Sequence, residues 1–301
     1  MSKEKFKEPL SLEKFGSTIN MQLNFNCNLK CFFCRGSMDN IQELSRTKSM
    51  TQNNFEIFIN KITDYGISHL QLTQAIGEPF IDKGIIDKIK FLESNDKIKW
   101  YMITTNCTVL NEKHFEIIEK CKKLYLVASI YGYNSKSYEQ STGKNKFKSF
   151  YNNLKKLGDI FENKNNTSLL DFNVRCKDSY NNFPTYSLVK ILIDKLIKND
   201  NIQMSDGETE NTNRGGLLKT YNKSSKKSGI CPNGPGDGGG VLPNGDFLFC
   251  PFHDVNKVGV MGNLFKQTLK EIYSSDKWQK LISNQSKNIY TGICADCDET
   301  F

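Results

Sequence analysis

Six short apolar runs, each followed by helical periodicity or a turn, fill the first two thirds of the chain and limit its fold more than any other feature. Thr18–Asn24, His69–Thr73, Lys99–Thr104, Leu124–Ile130, Ser168–Val174 and Asn201–Met204 read as strands. Between them Gln52–Tyr65 sets Phe55, Phe58, Ile59 and Ile62 on one helical face. Lys83–Glu93, Asn111–Cys121 (capped by Asn111), Phe147–Leu157 and Tyr186–Lys198 read as further helices. Continuously apolar strands alternating with helices predict a parallel sheet covered by those helices. Six units are too few to close an eight-stranded barrel. The expected fold is therefore α/β, a partial (β/α)6 barrel over residues 18–205 with an open cleft at the strands' carboxyl ends. Residues 1–17 are an N-terminal extension. Residues 206–301 supply a linker and a small C-terminal extension. The linker, Asp206–Gly238, is rich in Gly, Asn, Ser and Lys. It is followed by a hairpin at Val241–Cys250, turning at Asn244-Gly245, and an amphipathic helix over Gln267–Ile282.

The 301 residues suffice to bury a sizeable core. No apolar run approaches the roughly 18–20 residues that span a bilayer, and the first residues lack a secretory apolar core. A cytoplasmic protein without a membrane partner is expected. Lysine and arginine outnumber acids 41 to 33. The lysines scatter over surface-type positions, so the excess points to no nucleic-acid partner. Ten cysteines are many for a reducing compartment, where clustering indicates metal or redox chemistry rather than disulfides. They fall into a tight triplet (Cys27, Cys31, Cys34), three singletons (Cys107, Cys121, Cys176) and a C-terminal set (Cys231, Cys250, Cys294, Cys297).

The triplet places three thiolates within eight residues directly after a strand. Thiolates are soft ligands for iron–sulfur clusters or zinc. Zinc wants a fourth ligand nearby, and His69, His114 and His253 are not at finger spacing. Three ligands to a cubane leave one iron open to substrate. The run Cys27-Asn28-Leu29-Lys30-Cys31-Phe32-Phe33-Cys34 resembles the CxxxCxΦC signature of radical SAM enzymes, with Phe33 at the aromatic position. The resemblance implies a [4Fe–4S] cluster whose open iron chelates S-adenosylmethionine (SAM) and whose electron cleaves it to a 5′-deoxyadenosyl radical.

Three more segments carry the resemblance. Gly77-Glu78-Pro79 is similar to the family's GGEP motif, which meets the SAM amino group, with Ile76 in place of the first glycine. Thr104-Thr105-Asn106 is similar to the TTNG segment near the ribose, with Cys107 in place of glycine. Ser129 ends the fourth strand where ribose contacts are expected, and Tyr131 replaces the usual acid.

The C-terminal set, C-x18-C-x43-C-x2-C, can complete a tetrahedral zinc or a fully ligated [4Fe–4S] cluster. Its context, from Val241 through Gly262-Asn263-Leu264 to Leu269–Tyr273, resembles the SPASM extension in its shorter Twitch form. A full SPASM extension uses about seven cysteines for two clusters, so four imply one auxiliary cluster, two [4Fe–4S] clusters in all. With all four thiolates engaged, its expected task is electron transfer.

Around this chemistry, Arg214 is a candidate to orient an anionic or hydroxylated substrate or to assist proton loss, or else a solvated loop arginine. Arg175, after the fifth strand, is a second candidate. Cys107 and Cys176 lie past strand ends, either as hydrogen-atom donors in an epimerase or as small buried residues. Cys121, His69 and His114 read as structural. Three activities compete: oxidation of a hydroxylated small molecule of sugar or aminocyclitol type, maturation of a ribosomal peptide, and a non-catalytic electron carrier or zinc module. Only 17 residues precede the first strand, so a fused peptide-recognition domain is not expected. The nucleotide-type motifs argue against the carrier, leaving the radical dehydrogenase as the preferred reading. A flavodoxin- or ferredoxin-type protein is the expected electron donor.

Overall fold

A computed structural model describes residues 18–34, 49–72, 75–176, 178–206, 226–251 and 258–301. Six parallel strands form the expected open barrel wall: β1 (Thr18–Met21), β2 (His69–Gln71), β3 (Trp100–Thr105), β4 (Leu124–Ile130), β5 (Leu169–Val174) and β6 (Ile202–Asp206). Each pairs in parallel with its sequence neighbour, so the barrel part of the sheet runs β6-β5-β4-β3-β2-β1. The helices are α1 (Gln52–Asp64), α2 (Ile85–Ser94), α3 (Glu112–Lys120), α4 (Ser135–Thr142), α5 (Phe147–Glu162) and α6 (Leu188–Leu196). Their apolar faces, such as Phe55, Phe58, Ile59 and Ile62 of α1, bury against alternate strand residues including Leu170, Phe172 and Val174. Asn111 caps α3 as its sequence predicts, accepting from His114 N–H while His114 Nδ1 accepts from Asn111 N–H.

The C-terminal extension continues the same sheet. The hairpin strands β7 (Gly240–Val241) and β8 (Asp246–Leu248) are antiparallel, and β9 (Val260–Asn263) follows β8. β7 pairs in parallel with β1, Asn20 opposite Gly240, giving one nine-stranded sheet ordered β6-β5-β4-β3-β2-β1-β7-β8-β9.

One expectation needs correction, and one helix is additional to those the sequence suggests. The single helix predicted over Gln267–Ile282 is two: α7 (Leu269–Tyr273) and α8 (Asp276–Ser286). Ser275 interrupts them because its side chain accepts Trp278 N–H and starts a new N-terminus. Helix α4 was not foreseen. Its sequence SKSYEQST has no apolar stripe and is held by an Asn134–Ser137 capping box and a left-handed Gly143. A last short helix, α9 (Ile293–Asp296), lies between Tyr290 and Cys297. Among the described residues no helix is long and apolar enough to cross a membrane.

Candidate active site

The Cys27–Cys34 loop leaves β1 and is clamped from the side by α4. Lys30 N–H donates to Thr142 O at 2.8 Å and Phe32 N–H to Ser141 O at 3.2 Å. Cys31 is buried, and burial reinforced by the nearby Cys34 and Cys27 thiols pushes its thiol far up. Metal binding must therefore displace protons from this loop. Phe33, 5 % exposed, stacks on Tyr131 with ring centres 5.9 Å apart and meets Phe32 edge-on.

The second strand's loop is sewn to this one. Gly77 adopts φ +120°, a backbone region open to glycine. Glu78 N–H donates to Asn26 O at 2.8 Å, and Asn24 Nδ2 donates to Glu78 O at 3.2 Å. The Glu78 carboxylate is 1 % exposed and accepts from Thr105 Oγ1 at 2.8 Å, Asn106 N–H at 2.7 Å and Phe80 N–H at 3.2 Å. Burial pushes its pKa up to about 7 against those three donors. Pro79 opens the short turn that follows. Asn106 Nδ2 in turn lies 3.8 Å from Cys27 Sγ and donates to Asn28 Oδ1 at 3.0 Å. The GEP-like, TTN-like and cysteine segments thus form one hydrogen-bonded unit.

Two buried hydroxyls lie beside it. Ser129 Oγ has the Tyr131 phenol as its near polar neighbour. Tyr138 OH is buried and orphaned, within electrostatic reach of Cys27, Cys31 and Glu78. An unsatisfied buried hydroxyl is costly unless a ligand meets it. Together with three clustered thiols, the two hydroxyls fit a site for a cluster-bound polar cofactor such as SAM.

The barrel face turned away from the helices carries a polar ladder that the sequence reading did not single out. Gln203 Nε2 donates to Tyr125 OH at 2.8 Å, and Tyr125 OH to Asp171 Oδ2 at 2.9 Å. Ser205 Oγ donates to Asp171 and receives Asn173 Nδ2 at 2.6 Å. Arg175 Nε completes the chain at Asn173 Oδ1. Burial raises the Asp171 pKa, against the opposing pull of Ser205, Tyr125 and Gln203. The guanidinium of Arg175 makes no ion pair among the described residues and acts electrostatically on Cys31 and Tyr131. The signal was present in β5, where Asp171 and Asn173 alternate with Leu170, Phe172 and Val174.

Other candidates fall differently. Cys107 is fully buried at φ +62°, its thiol 3.9 Å from Thr105 O. Cys176 is 9 % exposed, its Sγ 3.0 Å from Asp178 O. Cys121 lies in the core beside Tyr101 OH. Arg214 lies outside the described residues.

The four C-terminal thiols line one narrow cavity whose wall is completed by Phe249, Tyr290 and Phe301. Burial pushes the Cys231 thiol up to about 12, with Cys294 and Cys297 adding to the shift. Among the described residues no group of three or more His, Cys, Asp or Glu is arranged to hold a single metal ion. Four thiols around one cavity match the donor set of an iron–sulfur cluster, as they would that of a tetrahedral zinc.

The Radical SAM superfamily model matches residues 21–175. The chain belongs to the radical SAM superfamily. SPASM, an iron–sulfur cluster-binding domain, matches residues 231–298. The radical SAM part thus brings a [4Fe–4S] cluster and SAM, and Cys27, Cys31 and Cys34 lie together within the matched span. The SPASM part brings auxiliary iron–sulfur ligation, and Cys231, Cys250, Cys294 and Cys297 line one cavity within its matched span. GTP 3′,8-cyclase of Clostridium perfringens is 30% identical over 110 residues, 36% of this chain and 33% of that protein. A probable GTP 3′,8-cyclase of Pyrococcus horikoshii is 26% identical over 156 residues, 50% and 46% of the two chains. This chain thus matches less than half the length of either relative. Among solved structures, BtrN in complex with AdoMet and 2-DOIA superposes with a TM-score of 0.62, 16% identity and coverage of 95% and 94%. Streptococcus suis SuiB bound to precursor peptide SuiA gives 0.57 at 17% identity, covering 94% of this chain and 70% of SuiB. At such identities the likeness establishes the fold.

Proposed function

We propose that this radical SAM protein oxidises a hydroxylated small molecule of sugar or aminocyclitol type and passes an electron from it to the C-terminal cluster. One observation carries this reading: all four C-terminal thiols line the same cavity. A cluster with four protein ligands has no open iron for substrate, which leaves electron transfer as its task. The polar ladder from Tyr125 to Arg175 adds a hydroxyl-matching surface along the barrel face, and the Arg175 guanidinium, bonded to Asn173 through Nε, offers its terminal N–H groups as a seat for a carboxylate or hydroxyl. BtrN, solved with AdoMet and 2-DOIA, shares the fold across nearly the whole chain.

Bound at the N-terminal site, the cluster and SAM would supply a 5′-deoxyadenosyl radical able to take the carbinol C–H hydrogen, which would leave 5′-deoxyadenosine and a substrate ketyl radical. Loss of the hydroxyl proton and one electron then gives the carbonyl product. The electron released equals the one used to cleave SAM, so the cycle balances as SAM plus alcohol giving methionine, 5′-deoxyadenosine, carbonyl and a proton. A flavodoxin- or ferredoxin-type donor is needed only to prime it. Arg214 and Arg175 are the proposed substrate-orienting residues, with Phe33, Gly77, Glu78, Pro79, Thr105, Asn106 and Ser129 around SAM.

The test is anaerobic reconstitution of wild type and Cys250→Ala, assayed against polyhydroxylated and aminated cyclic alcohols. Wild type is expected to yield one 5′-deoxyadenosine per carbonyl formed. Cys250→Ala is expected to cleave SAM while carbonyl formation falls at least ~100-fold, about 2.7 kcal/mol of barrier. Normal turnover by Cys250→Ala would reject the electron-acceptor role. The likeness to peptide-bound SuiB supports a second reading, peptide modification, which cyclic-alcohol inactivity together with SAM cleavage on a peptide would favour.

A further inference from the structure

Gln285 sits where its helix has every reason to carry an apolar residue. It follows Trp278 by seven positions on the buried face of α8 and is 1 % exposed. A buried primary amide is stable only when both ends are bonded. Its Oε1 accepts Cys231 N–H at 3.0 Å, and its Nε2 donates to Cys294 Sγ at 3.5 Å. The amide cannot sit the other way round, because a backbone N–H can face only the oxygen. The donor end is therefore fixed against the thiol, inside the wall of the four-cysteine cavity.

We propose that Gln285 is the hydrogen-bond donor that raises the reduction potential of the cluster held by Cys231, Cys250, Cys294 and Cys297. Reduction places added negative charge on the sulfurs, and an N–H···S bond strengthens as that charge grows, so the donor favours the reduced state. The formal charges around the cavity do not supply this bias. Lys227 acts on Cys297 from one side, whereas Glu299 opposes it at both Cys231 and Cys297. Lys227 is also occupied, donating to Cys294 O at 2.6 Å and Ala295 O at 3.2 Å. Neutral donors are the one-sided contribution: backbone N–H groups of Asn233 and Glu299 face Cys231 and Cys297, and Gln285 is the side chain that adds a donor at Cys294, which suits a cluster that must take an electron from a substrate radical.

This inference deepens the electron-acceptor reading and rests on it, but its test needs no substrate. Holoenzyme, Gln285→Glu and Gln285→Leu are titrated potentiometrically under anaerobic conditions with EPR detection. A Cys27/Cys31/Cys34→Ala variant identifies the auxiliary signal. The auxiliary midpoint is expected to move to more negative potential in both variants, further in Gln285→Glu, where a carboxylate replaces the donor. The N-terminal cluster's midpoint stays put, and iron remains at about eight per chain. Unchanged auxiliary midpoints would overturn the proposal. Loss of about four irons in both variants would do so too, since Gln285 would then serve assembly rather than tuning; if one variant keeps its cluster, its midpoint decides. Failure of the oxidoreductase reading looks different: the midpoint still shifts while wild type forms no carbonyl product.

Discussion

Glu78 joins the two SAM-side loops, and its protonation state governs how well it does so. Ionised, the carboxylate accepts from Thr105, Asn106 and Phe80 together. Protonation removes acceptor capacity at the turn that sets Asn106 against Cys27. SAM affinity is therefore expected to fall as pH drops below about 7, which equilibrium binding to the reconstituted protein checks. Glu78→Gln is expected to bind SAM roughly 10- to 100-fold more weakly and without that pH dependence, as charge-assisted hydrogen bonds are worth about 1.5–3 kcal/mol. Wild-type affinity in the variant would refute this. Folding stability runs the other way. A carboxyl raised by burial costs nothing below its ordinary value near 4.5, and the cost is complete above about 7, so the metal-free protein loses stability as pH rises through that window. Cys107 was legible as the position where TTNG-type segments carry glycine. The structure supplies the reason, since that backbone is left-handed at φ +62° and costs an L-residue about 1–2 kcal/mol. Thr105 Oγ1, accepting Cys107 N–H, and Asn153, donating to Cys107 O at 2.7 Å, hold it there.

Helix α4 matters beyond its length because its last carbonyls hold the cysteine loop. Its approach to β4 leaves no room at Gly132, where a Cβ would meet Tyr138 N at 2.5 Å and Ser137 C at 2.7 Å. Backbone atoms cannot swing aside as a side-chain tip can. Gly132→Ala is therefore expected to cost about 1–3 kcal/mol and to move α4, lowering iron at the N-terminal site while the auxiliary site stays filled. Thermal unfolding with iron counting checks both, and full iron occupancy would show that α4 does not position the loop. The sequence concealed this helix because only Tyr138, Ser141 and Thr142 turn inward, too few apolar groups to make a period. It was announced by its ends, Asn134 and Gly143, rather than by its middle. The split between α7 and α8 was readable in the same way. Thr268 with Glu271 and Ser275 with Trp278 are two starts, yet one apolar stripe runs across both and hides the break.

At the scale of the molecule, the C-terminal extension is also the edge cover of the barrel. β1 is buried along its whole length, with β2 on one side and β7 on the other. A chain ending at residue 225 would leave β1 as an exposed edge beside Leu23 and Phe25, and such edges pair with other chains. That fragment is expected to aggregate, and a soluble, cooperatively unfolding fragment in size-exclusion and circular-dichroism measurements would contradict it. What the sequence determined by itself was local. Six strands with helices between them specified the partial barrel, because burial on one face imposes a period along the chain. Three cysteines within one loop marked the candidate cluster site, because neighbouring residues can ligate together with little help from the rest. The tertiary structure alone decided the rest: β7 beside β1, the Tyr125–Asp171–Ser205–Arg175 ladder, and Gln285 reaching Cys231 across 54 residues. Those partners meet only when separate segments pack, so the pairing leaves no period or spacing in the chain.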